Sequence, residues 1–216
     1  MAIDEAVHRL HDRLPLKGRQ RQLDKELLQI HKAILRSFVE RGYPLRKKEI
    51  AGMLSDTDVT KALVRLCEDD LLILDTQSEE PIGAYPMTME NTPHRLIVNG
   101  HEIHAMCALD ALAVSPMFGI ETQIDSHCHI SGEPIYLRQK EMEILEAKPS
   151  LDVHVGIRWQ TPTTCAAHSL CLEMIFLGDR DRMKEWQGSE MESREVFVLH
   201  EAVEFAAAFF VPLMEE

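Results

Sequence analysis

Apolar positions in the first third of the chain recur at intervals of three and four. Between Leu23 and Arg41 the series Leu27, Ile30, Ala33, Ile34, Phe38 lies along one helical stripe, which Gly42 and Pro44 bring to an end. A second, shorter helix is expected at about 46–54, and a third over 57–69, where a Ser/Asp/Thr cluster supplies capping oxygens. The pattern then turns toward strands, at Leu71-Leu72-Ile73-Leu74, 84–88 and 95–98. Farther on, 133–137 reads as a strand and 141–147 as a short helix or turn. Asp152 to Trp159 alternates apolar and polar residues as a strand does. Gln160 to Cys165 reads as a loop leading to the apolar run Leu172–Leu177, and 178–182 as a turn or helix start. Val196–Leu199 then reads as a strand and His200–Leu213 as a closing helix. Strands interleaved irregularly with helices predict an α+β protein.

Three helices followed by a two-stranded wing is the order of a winged-helix module. The expected organisation is therefore an N-terminal arm at 1–22, polar, basic, amphipathic and loosely attached, a winged-helix-like module at 23–98 and a mixed-sheet domain at 99–216. Charge bears on what the module does. Residues 1–75 carry 14 Lys and Arg against 13 Asp and Glu, whereas the remainder carries 9 against 23, out of a total of −13. The acidic remainder is a poor partner for nucleic acid or an anionic membrane, because phosphate binding needs a positive footprint. Residues 9–48 are basic, but the third helix, in the position that would read bases, carries two cations and several acids. The module is therefore expected to be a packing partner, with nucleic acid binding unlikely.

No stretch approaches the ~18–20 apolar residues needed to span a membrane, and the first residues lack the apolar core of a signal peptide. A cytoplasmic protein is expected, with its five cysteines reduced; their odd number and irregular spacing fit thiols better than a disulfide framework.

The stretch His101–Gly132 departs furthest from what a merely folded domain requires. Cys107 and Asp110 stand three apart in an otherwise apolar run, a spacing that shares one face of a helical turn. A carboxylate in that company is exposed, caps something, or is kept because a proton must move there. Ser126-His127-Cys128-His129 has the look of a metal knuckle, yet no CxxC pair exists to complete a structural zinc site. Cys128 reads as a small packed hydrophobe, and His127 and His129 as ordinary polar positions. A cysteine nucleophile with a histidine base lacks any local hydrolase signature. Two thiolates from distant segments, such as Cys107 and Cys171, could instead clamp a soft two-coordinate cation, with Asp110 as a proton route.

The segment His104-Ala105-Met106-Cys107-Ala108-Leu109-Asp110-Ala111-Leu112, followed by Ser126-His127-Cys128, resembles the alkylmercury lyase (organomercurial lyase) family. So do Cys171-Leu172-Glu173-Met174-Ile175-Phe176-Leu177 ahead of Trp186, and Val198-Leu199-His200-Glu201-Ala202; the likeness covers roughly 23–210. It implies that Cys107, Asp110 and Cys171 are catalytic, that Cys107 and Cys171 hold mercury as substrate and product, with Asp110 a further candidate contact, and that Cys128 is structural. Leu172 departs from the family pattern, and the preceding loop is a residue longer, which keeps Cys165 open as a substitute for Cys171. The implied activity is protonolysis of R–Hg⁺ to R–H and Hg²⁺ in a mercury-detoxification role. It needs no organic cofactor, and low-molecular-weight thiols or a mercuric reductase would receive the metal. Two other readings stay open at this point: a thiol-based metal-sensing regulator that uses the winged helix, and a soft-metal-binding relative that cleaves nothing.

Overall fold

The computed structural model describes residues 3–163 and 165–215. Met1 and Ala2 of the expected arm, Thr164 of the expected loop, and Glu216 lie outside them. In chain order the helices α1 (Ile3–Arg13), α2 (Leu16–Gln20), α3 (Lys25–Arg41), α4 (Lys47–Ala51) and α5 (Val59–Glu68) precede strands β1 (Ile73–Leu74), β2 (Pro81–Ala84), β3 (Met87–Thr88), β4 (His94–Val98) and β5 (His101–Ala105). Then come α6 (Ala108–Phe118), β6 (Glu121–His127), β7 (Pro134–Lys140), β8 (Glu143–Lys148), β9 (His154–Arg158) and two 3₁₀ turns, Ala166–His168 and Leu170–Glu173. The chain closes with β10 (Met174–Leu177), α7 (Arg180–Gln187), β11 (Arg194–Val198) and α8 (Leu199–Phe210).

The expected α+β mixture is present. Two antiparallel sheets carry it: eight strands in the order β1-β2-β3-β5-β4-β6-β7-β8, and three in the order β10-β9-β11. The hairpin after the three helices is not a separate wing, since β2 pairs with β3 and so joins the large sheet. The position between 98 and 99 is the turn of the β4–β5 hairpin, where Asn99 and Gly100 both take positive φ, 50° and 80°.

The N-terminal segment corrects the expectation of a loose arm. Ala6, Leu10, Leu14 and Leu16 are buried in the same hydrophobic core as the rest of the chain, and α1 packs on α8. The amphipathic character expected of the segment holds, and its narrow apolar face is enough for firm docking. A second correction concerns 141–147, expected as a short helix or turn, where β8 forms instead. It is an edge strand whose side chains are exposed or half-buried. An edge strand need not alternate cleanly, and Glu143, Glu146 and Lys148 discourage further pairing along it.

Helix α6 organises the interior. Ala108 through Ser115 are all buried, so the segment shows no polar face, the mark of a helix enclosed on every side. Pro116 cannot donate to the carbonyl four residues back. That carbonyl, of Leu112, instead accepts from the buried Gln139 side chain at 2.9 Å. Strand β9 is the central strand of the small sheet, and a Cβ on its Gly156 would stand 2.8 Å from the Trp186 ring, so α7 can close on the sheet only if this position lacks a side chain.

Candidate functional site

The N-terminus of α6 is the focus. Strand β5 delivers the chain to Cys107, whose extended backbone (φ −151°, ψ 179°) makes it the N-cap, and its Sγ accepts the Asp110 backbone N–H at 3.3 Å. A thiol in that place faces the positive end of the helix dipole, which favours thiolate. Asp110, in the first turn, is 1% exposed. Its two carboxylate oxygens find no hydrogen-bond partner. Burial raises its pKa to about 7, against which the two neighbouring thiols pull only partly. Buried polar atoms left unsatisfied are uncommon and are a feature of reactive sites.

The third member arrives from far along the chain. Cys171 sits in the second 3₁₀ turn, 3% exposed, and its sulfur, the Cys107 sulfur and an Asp110 oxygen all lie within 4.8 Å of one another. Among the described residues this is the one cluster of three or more His, Cys, Asp or Glu side chains close enough to hold a metal ion. Burial pushes the Cys107 thiol up to about 11. Cys171 is raised as well, first by its contact with Cys107 and then by burial. The contact with Cys171 works against burial at Cys107. A pair of thiols beside one carboxyl suits a soft cation, which thiolate sulfur prefers over hard oxygen.

Cys165, the alternative to Cys171, is placed elsewhere: its sulfur lies 3.4 Å from the Tyr85 hydroxyl. Cys128 is fully buried at the β6–β7 connection, where Gly178 packs against it. His127 and His129 line a cleft of about 100 Å³ whose floor includes Cys171, Met174 and Phe176. His94 shares that cleft, held by Ser126 Oγ at 2.9 Å and by an edge contact to Phe176. The cleft reaches Cys171.

Sequence reasoning missed the residues that pin the Cys171 loop. The Tyr85 hydroxyl accepts the Ala167 N–H at 2.7 Å and donates to Asp70 at 3.2 Å, while Asp70 accepts the Ala166 N–H at 3.3 Å and pairs with Arg19 at 3.5 Å. Asp70 follows α5 and Tyr85 lies between β2 and β3, so the N-terminal half of the chain sets the position of a loop nearly a hundred residues later. No spacing signal could have linked them. Tyr85→Phe should orphan the buried Ala167 N–H at a cost of about 1–3 kcal/mol. The check is a lowered melting temperature with faster hydrogen exchange at the Ala167 amide; unchanged exchange there would contradict the assignment.

Comparison with known proteins places this geometry. The alkylmercury lyase family model matches residues 87–211. An alkylmercury lyase of Bacillus cereus is 32% identical over 100 residues, 46% of this chain and 45% of that protein. One of Staphylococcus epidermidis is 25% identical over 159 residues, covering 74% and 72%, and one of Streptomyces lividans is 27% identical over 154 residues, covering 70% and 69%. The match with the Bacillus cereus protein thus spans about half of that relative's length. The fold is shared with a crystal structure of the mercury-bound form of MerB2, at a TM-score of 0.76 and 17% identity over 93% of this chain and 98% of that one. With a match that runs from β3 to the end of α8 and takes in the whole cluster at the head of α6, the chain belongs to the alkylmercury lyase family.

Proposed function

We propose that this protein cleaves the carbon–mercury bond of R–Hg⁺ by protonolysis, with Cys107, Cys171 and Asp110 as the reacting groups. The observation that carries the reading is the meeting, in one buried site, of two thiols and a carboxyl whose oxygens are otherwise unpartnered. The Cys107 sulfur attacks mercury; the S–Hg bond forms and the thiol proton leaves with the displaced counter-ligand. The Cys171 sulfur then binds the same metal and enriches the carbon with electron density. Protonated Asp110 gives its proton to that carbon as the C–Hg bond breaks, R–H departs, and the Cys171 proton restores the carboxyl. Hg²⁺ remains between two thiolates. Two external thiols exchange with it and return both protons to the cysteines, and a mercuric reductase is a fitting recipient of the metal. We place this chemistry in the cytoplasm, where small thiols are abundant.

The helices α3 to α5 with the β1–β2 hairpin keep the order of a winged helix, and we read them as a scaffold. Leu63 and Leu66 of α5 are buried in the common core, and its outer face presents Lys61, Val64, Arg65 and Glu68, with Arg65 tied to Asp69. Such a face offers few donors for bases.

Incubation with phenylmercury and excess glutathione should release benzene, measured in the headspace. Its absence, with mercury still bound, would favour a binding protein. The pH dependence follows from the site. Since Asp110 must be protonated and holds its proton up to about 7, the single-turnover rate should fall above that pH, by about tenfold per unit once fully on the limb. A rate that instead rises steadily to pH 9 would mean that thiolate formation, and not the carboxyl proton, limits the reaction.

A further inference from the structure

Of the 11 methionines, Met106 and Met174 line the cleft that Cys171 also lines. Met174 is 2% exposed, and its Sδ lies 3.7 Å from the Cys107 Sγ, as the acceptor of the thiol proton. It begins β10 directly after the 3₁₀ turn that carries Cys171. Cys171 and Met174 line the same cleft. A methionine buried only to fill space could point its sulfur anywhere; this one touches the first thiol and lines the cleft that the second thiol also lines.

We infer that the Met174 thioether is a third soft donor to mercury in this site. The inference rests on the carbon–mercury cleavage proposed above and names a further ligand for it. The Cys107 thiol has the Met174 sulfur within hydrogen-bonding reach, at 3.7 Å. When R–Hg⁺ replaces that proton, the S–H bond breaks, the S–Hg bond forms on the same sulfur, and the proton leaves with the counter-ligand of mercury. The metal on that sulfur then lies within reach of Met174. Thioether sulfur is neutral and soft, so it adds electron density to mercury without adding charge to a buried site, where a third thiolate would be costly. Asp110, whose oxygens are not engaged by Met174, is left for the carbon.

The test uses the full chain labelled with selenomethionine and loaded with mercuric chloride, read by X-ray absorption at the mercury edge. Selenium should appear as a neighbour of mercury beside two sulfurs, and should disappear in Met174→Leu, a swap that keeps side-chain volume and is well tolerated in cores. A spectrum with no selenium neighbour overturns the inference. So does selenium that persists in Met174→Leu, because the donor would then be another methionine. Should Met174→Leu fail to fold, Met106→Leu decides: selenium retained there leaves Met174 as the donor on the cleft wall, and selenium lost excludes it. Benzene release from phenylmercury, measured on the same labelled wild-type protein, reports separately on cleavage, so a failure of the third donor and a failure of the reaction cannot be confused.

Discussion

Cys107→Ser is expected to abolish turnover of organomercurials, with a loss on the order of 10⁴-fold or more, the scale on which removing a group that forms the covalent intermediate acts. A serine hydroxyl stays protonated and is hard, so it cannot displace the counter-ligand of a soft metal. The loss should not come from misfolding: Cys107 caps α6 through its side chain, and serine is among the best N-cap residues. The melting temperature of the variant should therefore be at or above that of the wild type. Cys171→Ser should be comparably inactive. Cys165→Ser, whose side chain sits by Tyr85 and outside the cluster, should keep its rate within a few-fold. Activity in Cys171→Ser together with its absence in Cys165→Ser would reverse the assignment of the second thiol.

Asp110→Asn separates proton delivery from metal binding. A carboxylate is a hard ligand and contributes little beside two thiolates, so the variant should bind mercuric ion with nearly wild-type affinity. The amide cannot supply a proton, and the chemical step should slow by a factor on the order of 10² or more. Intact-protein mass spectrometry should then detect an adduct that retains the organic group. Stability should move the other way. Asp110 is held at about 7 in the folded protein against 3.8 for the unperturbed group, chiefly by burial. The proton is thus bound more tightly when folded, so this group favours folding fully below the unfolded value and loses that contribution as pH rises through the folded one. Asn, never charged, escapes the loss. Asp110→Asn should therefore melt above the wild type at pH 8, with the gap closing toward pH 4. A variant that turns over normally, or binds no mercury, would show that Asp110 has another role.

What could be read from the letters tracks how local the cause was. Helix α3 was legible because stripe and terminator lie in one window, and Gly42 does end it in the left-handed conformation. The spacing of Cys107 and Asp110 was legible for the same reason, since N-cap and first turn are three residues apart. The meeting with Cys171 could be raised from residue type as one possible thiolate clamp, but only family resemblance singled it out, because it depends on the sheet that brings β10 beside α6. The hydrogen bonds from Tyr85 and Asp70 to the Cys171 loop left no trace in the sequence at all. Asn99-Gly100 is a different case. That dipeptide between two alternating runs is a strong hairpin signal, and the β4–β5 hairpin could have been placed from it, yet a domain boundary was expected at the same position. Edge strand β8 was misread because its exposed and half-buried positions do not produce the alternation of a strand with one buried face.

The most direct measurement of the central claim is a single turnover of phenylmercury by excess protein in D₂O. If the carbon receives its hydrogen from an exchangeable acid in the site, the benzene released carries one deuterium per molecule, and the mercury stays with the protein until thiol is added. Benzene without deuterium, or no benzene while mercury binds, would contradict protonolysis at the Cys107–Asp110–Cys171 cluster.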